Sequence, residues 1–179
     1  MRDVSKLFEG AVSRLYNKTR PAVSDAAIKK LINFIQQKNS QLELALDVGC
    51  GTGFNTSLLA KHFKGVTGFD TSLTQIEEAR KQSPADNVTF LVGTADSLPC
   101  ASETADAIVC IQSAHWFDLS KFYTECTRVL KSNGVLALLG YGLLQLKCPE
   151  NPSVDEKLNN VLKEVLGVYY KWCENEILL

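Results

Sequence analysis

In this chain of 179 residues, the groups able to do chemistry concentrate in one stretch, Leu46-Asp47-Val48-Gly49-Cys50-Gly51-Thr52-Gly53. It runs out of an apolar segment and places three glycines within five residues. Without a Cβ, a glycine backbone turns sharply and brings its amides close to a ligand. A loop of this kind ahead of a helix is a place to hold a nucleotide cofactor. A dinucleotide loop reads G-x-G-x-x-G/A, its third small residue letting helix and strand pack closely. Here that third position is Phe54, and the last glycine comes one residue early at Gly53, giving D-x-G-x-G-x-G. The segment Val66-Thr67-Gly68-Phe69-Asp70 reads as a second strand ending in a carboxylate, suitably placed to accept hydrogen bonds from both hydroxyls of a ribose.

The elements that must position these groups alternate along the chain. Ser24 can cap a helix whose apolar positions Ile28, Leu31, Ile32 and Ile35 recur at the helical period. Residues 44–48 form a first strand and 54–62 a crossover helix. Ser72-Leu73-Thr74-Gln75 has the form of a capping box opening a helix to about Gln82. Residues 88–92, 105–111 and 135–139 read as further strands, with a helix over 119–130 that stops at Asn133-Gly134. Alternating strands and helices with right-handed crossovers predict an α/β fold, a doubly wound, mainly parallel sheet whose ligand lies beyond the strand C-termini. After Tyr141, Pro149 and Pro152 break a loop before an amphipathic helix carrying Val154, Leu158, Val161, Leu162 and Val165. The domain expectation is 1–145, including an N-terminal lid segment 1–40, with 146–179 a loop and helix packed on the same domain.

A net charge of −1 with mixed signs leaves no basic footprint for nucleic acid. The six cysteines have no C-x-x-C pairing and most sit in apolar or helical surroundings, where reduced thiols act as small hydrophobes, and no metal site is expected. The chain start has no apolar signal segment and no run approaches a membrane span, so the expectation is a cytoplasmic protein without membrane attachment.

From Leu44 to about Gly142 the order of elements, with motif I at Asp47 to Gly53 and the acid at Asp70, resembles the class I methyltransferases that use S-adenosyl-L-methionine (SAM). Ala114-His115-Trp116-Phe117-Asp118, then Phe122 and Leu138-Leu139-Gly140-Tyr141, with Tyr16 and Arg20-Pro21 upstream, is similar to the small-molecule branch that includes the trans-aconitate methyltransferases. The resemblance implies that Gly49, Gly51 and Gly53 line the methionine end of SAM, with Asp47 beneath the loop near its amino group. It implies Asp70 for the ribose, Asp96 and the amide of Ala95 for adenine, and Ile111 and Gln112 facing the methionine moiety and the acceptor. On the acceptor side it points to Tyr16, Arg20, Trp116 and Tyr141, with His115 as the candidate catalytic group.

Several of these residues also have a plainer role. Asp70 can be a solvated strand-end acid, Asp96 the cap of a turn before Pro99, His115 and Trp116 a packed aromatic corner, and Tyr16 and Arg20 a surface pair. A carboxylate acceptor needs no base, Arg20 anchoring it and His115 orienting it. For a hydroxyl or amine, His115 near its ordinary pKa of about 6.5 serves as general base. Members of the family normally add a helix and two antiparallel strands after the fifth strand, and this sequence has room for the helix but not for both strands. An unpaired fifth-strand edge is then expected, open to self-association or a partner chain. Two other functions stand beside methyl transfer to a small molecule: a shortened SAM-binding or interaction domain without turnover, and a nicotinamide-dependent oxidoreductase, against which Phe54 counts.

Overall fold

Five apolar runs form the sheet: β1 (Leu44–Val48), β2 (Gly65–Asp70), β3 (Val88–Val92), β4 (Ala105–Ile111) and β5 (Leu130–Leu139). The helices are α1 (Asp25–Lys38), α2 (Phe54–Leu59), α3 (Leu73–Gln82), α4 (Leu119–Val129) and α5 (Asp155–Val165). They are seen in a computed structural model that describes residues 23–38, 41–82, 85–140 and 147–165. The chain divides into two units, Met1–Leu139 and Gly140–Leu179.

In the first unit the strand order is β3-β2-β1-β4-β5, and every pairing is parallel. A parallel sheet is covered on both faces, which explains why its strands read as nearly continuous apolar runs. All seven residues of β4 are buried. Alternate side chains separate two cores. On one face Ala45, Ala107 and Val109 meet Ile28, Ile32 and Ile35 of α1. On the other Leu46, Val48 and Ile108 meet Phe122, Cys126 and Val129 of α4. A smaller cluster seats Ile76 and Ala79 of α3 on Phe90 beside Cys50. At the sheet's N-terminal edge the buried Asp106 accepts from the amides of Glu43 (3.0 Å) and Leu44 (2.9 Å) and from Lys131 Nζ (2.7 Å). That carboxylate joins β1 to β4 at the end remote from the glycine loop.

The caps form where the sequence places them. Ser24 Oγ accepts from the Ala27 amide at 3.2 Å, and Ser72 Oγ from the Gln75 amide at 3.4 Å. Two boundaries differ from expectation. Helix α2 ends at Leu59 rather than near His62, where Asn87 Nδ2 donates to the carbonyls of Ala60 (2.9 Å) and Phe63 (3.0 Å) and ties the chain to the start of β3. Asn133-Gly134 is not a helix stop. α4 already ends at Val129, Leu130 turns extended and pairs with Ala105, and the register shifts before Ala107 meets Val135. Gly134 belongs to this irregularity: a Cβ there would come 3.0 Å from the Ala105 carbonyl oxygen.

In the second unit a turn at Pro152–Val154 leads into α5, and the Asp155 carboxylate accepts from the Cys148 amide at 2.8 Å. Among the described residues no helix is long and apolar enough to cross a membrane.

Candidate cofactor site

The strand order reverses between β1 and β4, and the crevice beyond their C-terminal ends is where open α/β sheets take ligands. The glycine loop leaves β1 at this point. The amides of Gly49 and Cys50 both donate to the Phe69 carbonyl, at 2.8 and 2.9 Å, so the loop starts locked to the end of β2. Gly49, Gly51 and Gly53 have φ of +77°, +56° and +79°. Their surroundings differ. A Cβ on Gly49 would lie 2.4 Å from Ser113 Cβ, and one on Gly53 would lie 2.5 Å from the Phe90 ring. One on Gly51 would meet nothing within 4 Å. The outer glycines therefore let the loop nestle against protein, whereas Gly51 turns its bare backbone toward open space. Asp47 is buried beneath the loop, with Oδ2 accepting from Thr56 Oγ1 at 2.7 Å, which holds the first turn of α2 in place.

Asp70 ends β2 facing the loop. Its Oδ2 accepts from the Gly51 amide and its Oδ1 from the Ser72 amide, each at 2.9 Å. Burial raises its pKa above the ordinary aspartate value, opposed by the amides of Ser72, Gly51 and Thr71. Two backbone bonds fix the carboxylate's orientation and leave lone pairs for a ligand's hydroxyls. Cys50, inside the loop, has its thiol pushed well up by burial, with Asp47 and Asp70 adding to the effect, so it is a small apolar filler rather than a nucleophile.

The segment after β3 lies at the same sheet edge, the Gly93 amide donating to the Asp70 carbonyl at 3.0 Å. Thr94 and Ser97 form an isolated bridge around Ala95 and Asp96. Asp96 is exposed, and a hydrogen bond from Thr94 holds its carboxyl below the usual range. Ile111, buried, ends β4; Gln112 follows in the left-handed region at φ +57°, its amide donating to the Leu139 carbonyl at 2.8 Å. A side chain held there is uncommon and marks a position over-determined by its neighbours. Ser113 Oγ then donates to the Val48 carbonyl at 2.7 Å, closing the reversal point between β1 and β4. Sequence reasoning passed over Ser113, Thr56 and Ser72 as site-building groups. For Ser113 the available signal was indirect: a glycine after β1 needs something against which to pack.

His115 and Trp116 sit in a single turn, Ala114–Trp116, directly after Ser113. Their ring centroids are 4.8 Å apart at 45°, and His115 is exposed. Tyr16, Arg20 and Tyr141 lie outside the described residues. The structure therefore brings the Gly49–Gly53 loop, Asp70, the 94–96 turn and the end of β4 to one edge, with His115 and Trp116 continuing from β4. An open cradle at Gly51 beside an oriented carboxylate fits the ribose and methionine ends of an S-adenosyl cofactor.

Comparison with known proteins agrees with this geometry. The methyltransferase domain family matches residues 46–138. A protein of Dictyostelium discoideum named as a methyltransferase is 38% identical over 137 residues, covering 76% of this chain and 50% of its own length. CRG1 of Saccharomyces cerevisiae, named as an S-adenosylmethionine-dependent methyltransferase, is 27% identical over 98% of this chain and 60% of its own. The chain thus spans about half the length of the curated relatives it matches. Among solved structures, one named as a type II methyltransferase from Anaeromyxobacter dehalogenans superposes with a TM-score of 0.67 at 28% identity, over 83% of this chain and 58% of that one. Loop spacing, strand-end acid, sheet order and family match converge, and the chain belongs to the class I SAM-dependent methyltransferases.

Proposed function

We propose that this chain binds SAM along the C-terminal edge of β2, β1 and β4 and transfers its methyl group to a small-molecule acceptor, of which a carboxylate is the class favoured by the resemblance around Ala114 to Asp118. The observation that carries the cofactor half is the Asp70 carboxylate, oriented by the Gly51 and Ser72 amides beside a glycine whose missing side chain leaves open space. When bound, SAM supplies an electrophilic methyl on a sulfonium, displaced in line by the acceptor.

The protein's own residues bind and orient. Asp70 accepts from the ribose hydroxyls; Gly49, Gly51 and Gly53 keep the backbone low under the methionine end; Asp47, already bonded to Thr56, holds the loop from below. Asp96 and the Ala95 amide face adenine, and Ile111 and Gln112 close the methionine side. Holding nucleophile, methyl carbon and leaving sulfur collinear supplies much of the rate in such a reaction, because little covalent chemistry is left to the protein. A carboxylate acceptor is already ionised at neutral pH, and Arg20, Tyr16 and Tyr141 are then its anchors while His115 and Trp116 orient it. A hydroxyl or amine acceptor instead calls on His115 to take the proton.

The test is turnover with SAM against a panel of small carboxylic acids, hydroxy acids and amines, read as formation of the demethylated product. Methylation of carboxylic acids that persists at pH values below about 6, where a histidine base would be protonated, supports the carboxylate assignment. Cofactor binding without turnover on any acceptor would leave a SAM-binding domain and overturn the enzymatic half.

A further inference from the structure

The segment that follows β3 carries both groups assigned to adenine, yet within residues 94–100 it has little regular structure of its own. Its backbone bonds are the Thr94–Ser97 bridge and a 2.7 Å bond from the Cys100 amide to the Leu98 carbonyl. What fixes it comes from α4. Leu98 is buried in the core that Phe122 and Cys126 of α4 share. Glu125 Oε2 accepts from the Leu98 amide at 2.9 Å. Arg128 donates through Nη2 to the Leu98 carbonyl at 3.0 Å and through Nη1 to the Cys100 carbonyl at 2.8 Å. The same guanidinium grips Glu125 twice, Nε to Oε1 at 2.9 Å and Nη2 to Oε2 at 2.7 Å. Glu125 and Arg128, one helical turn apart, thus form a planar plate that satisfies one donor and two acceptors of the segment.

We propose that Arg128 and Glu125 are positioning residues for cofactor selectivity: they set the 94–100 segment so that Asp96 and the Ala95 amide discriminate the adenine base. This rests on the SAM reading above. The geometry of the clamp supports it. Asp96 is exposed, its carboxylate is bonded within the segment by Thr94, and it stands two residues from the clamped Leu98, so the clamp sets where the backbone presents that pair. The pair is half-buried, with side-chain exposures of 36% for Arg128 and 17% for Glu125, so its bonds are partly shielded from water. A fork of fixed geometry is required. A lysine at 128 offers one compact ammonium and cannot span Glu125 and two carbonyls at once.

Binding of S-adenosyl-L-homocysteine and S-inosyl-L-homocysteine to wild type, Arg128→Ala and Arg128→Lys tests the proposal. The two ligands differ at the base edge, where the exocyclic amine of adenine becomes a carbonyl. Wild type is expected to prefer the adenosyl ligand by about tenfold or more, the scale of a matched against a mismatched hydrogen bond to a charged group. Both variants are expected to lose most of that preference while thermal unfolding shows them folded. A general loosening would weaken both ligands together and leave their ratio unchanged, and an unchanged ratio in a folded variant overturns the proposal. Failure of both variants to fold also overturns it, because the clamp then serves the fold and not the segment. If wild type binds neither ligand, it is the SAM reading that fails.

Discussion

The Gly49–Gly53 loop and the Ala114–Trp116 turn leave neighbouring parallel strands at the same sheet edge, but they are held in different ways. In the loop, two amides share the Phe69 carbonyl, a third reaches Asp70, and two of the glycines are pressed against Ser113 and Phe90. In the turn, the Trp116 amide bonds to the Ser113 carbonyl, and a tilted ring contact joins His115 to Trp116. One region is specified by backbone geometry and leaves few residue types free to change. The other presents side chains on a short turn, where exchange of the exposed His115 is expected to alter chemistry more than fold. In the proposed function a cofactor and a separate acceptor call for that division, with cofactor-binding groups on a rigid scaffold and acceptor specificity on the loops it carries.

The largest expected break is at Asp70. Asp70→Ala removes both oriented acceptors and should weaken SAM by about 3 kcal/mol, more than a hundredfold in a calorimetric titration, since hydrogen bonds to charged groups are worth roughly 1.5–3 kcal/mol each. Its pH dependence follows from its raised pKa. The folded chain holds the Asp70 proton more tightly than the unfolded chain does, so this group's stabilising contribution is complete below its ordinary pKa of 3.8 and is lost as pH rises through the folded value. At neutral pH this group therefore makes no such contribution to stability, and its ionised carboxylate is available for the binding role proposed for it. Asp70→Asn should keep thermal stability within about 1 kcal/mol of wild type at pH 7 while losing SAM. In wild type, SAM affinity should fall as acid protonates Asp70, and the Asn variant should lack that acid limb.

The glycines sharpen the contrast within the loop. Gly49→Ala adds a Cβ where Ser113 already stands, at positive φ, and should cost about 3 kcal/mol in denaturant unfolding. Gly51→Ala carries only the conformational penalty of about 1 kcal/mol, because no atom lies within 4 Å of the added carbon, yet it should reduce SAM affinity by filling the open side. The smallest structural effect belongs to the turn. His115→Ala should shift stability by less than about 0.5 kcal/mol and leave SAM affinity within about twofold, while turnover on a hydroxyl or amine acceptor falls about a hundredfold or more.

The same division decides what was legible in the sequence. β1, β3 and β4 lie where their apolar runs place them, and the glycines and Asp70 meet as their spacing predicts, because each feature is local in sequence or repeats a strand–loop–helix pattern. The groups that lock the site were not readable. Ser113 meets Val48 across 65 residues and Arg128 meets Leu98 across 30. Bonds of that range leave no periodicity. Gln112 gave no sign of its left-handed backbone, which glycine usually supplies. Asn133-Gly134 misled because a helix stop and a strand irregularity both favour glycine, and only the pairing of Leu130 with Ala105 separates them.

The cofactor assignment is tested most directly by isothermal titration of the chain with SAM, S-adenosyl-L-homocysteine and NAD under one set of conditions, repeated on Asp70→Asn. Saturable binding of the two S-adenosyl ligands to wild type, lost in the variant, with no heat from NAD, is the predicted result. No binding of SAM at millimolar concentration, or binding of NAD that equals it, would contradict the role assigned to the Gly49–Gly53 loop and Asp70.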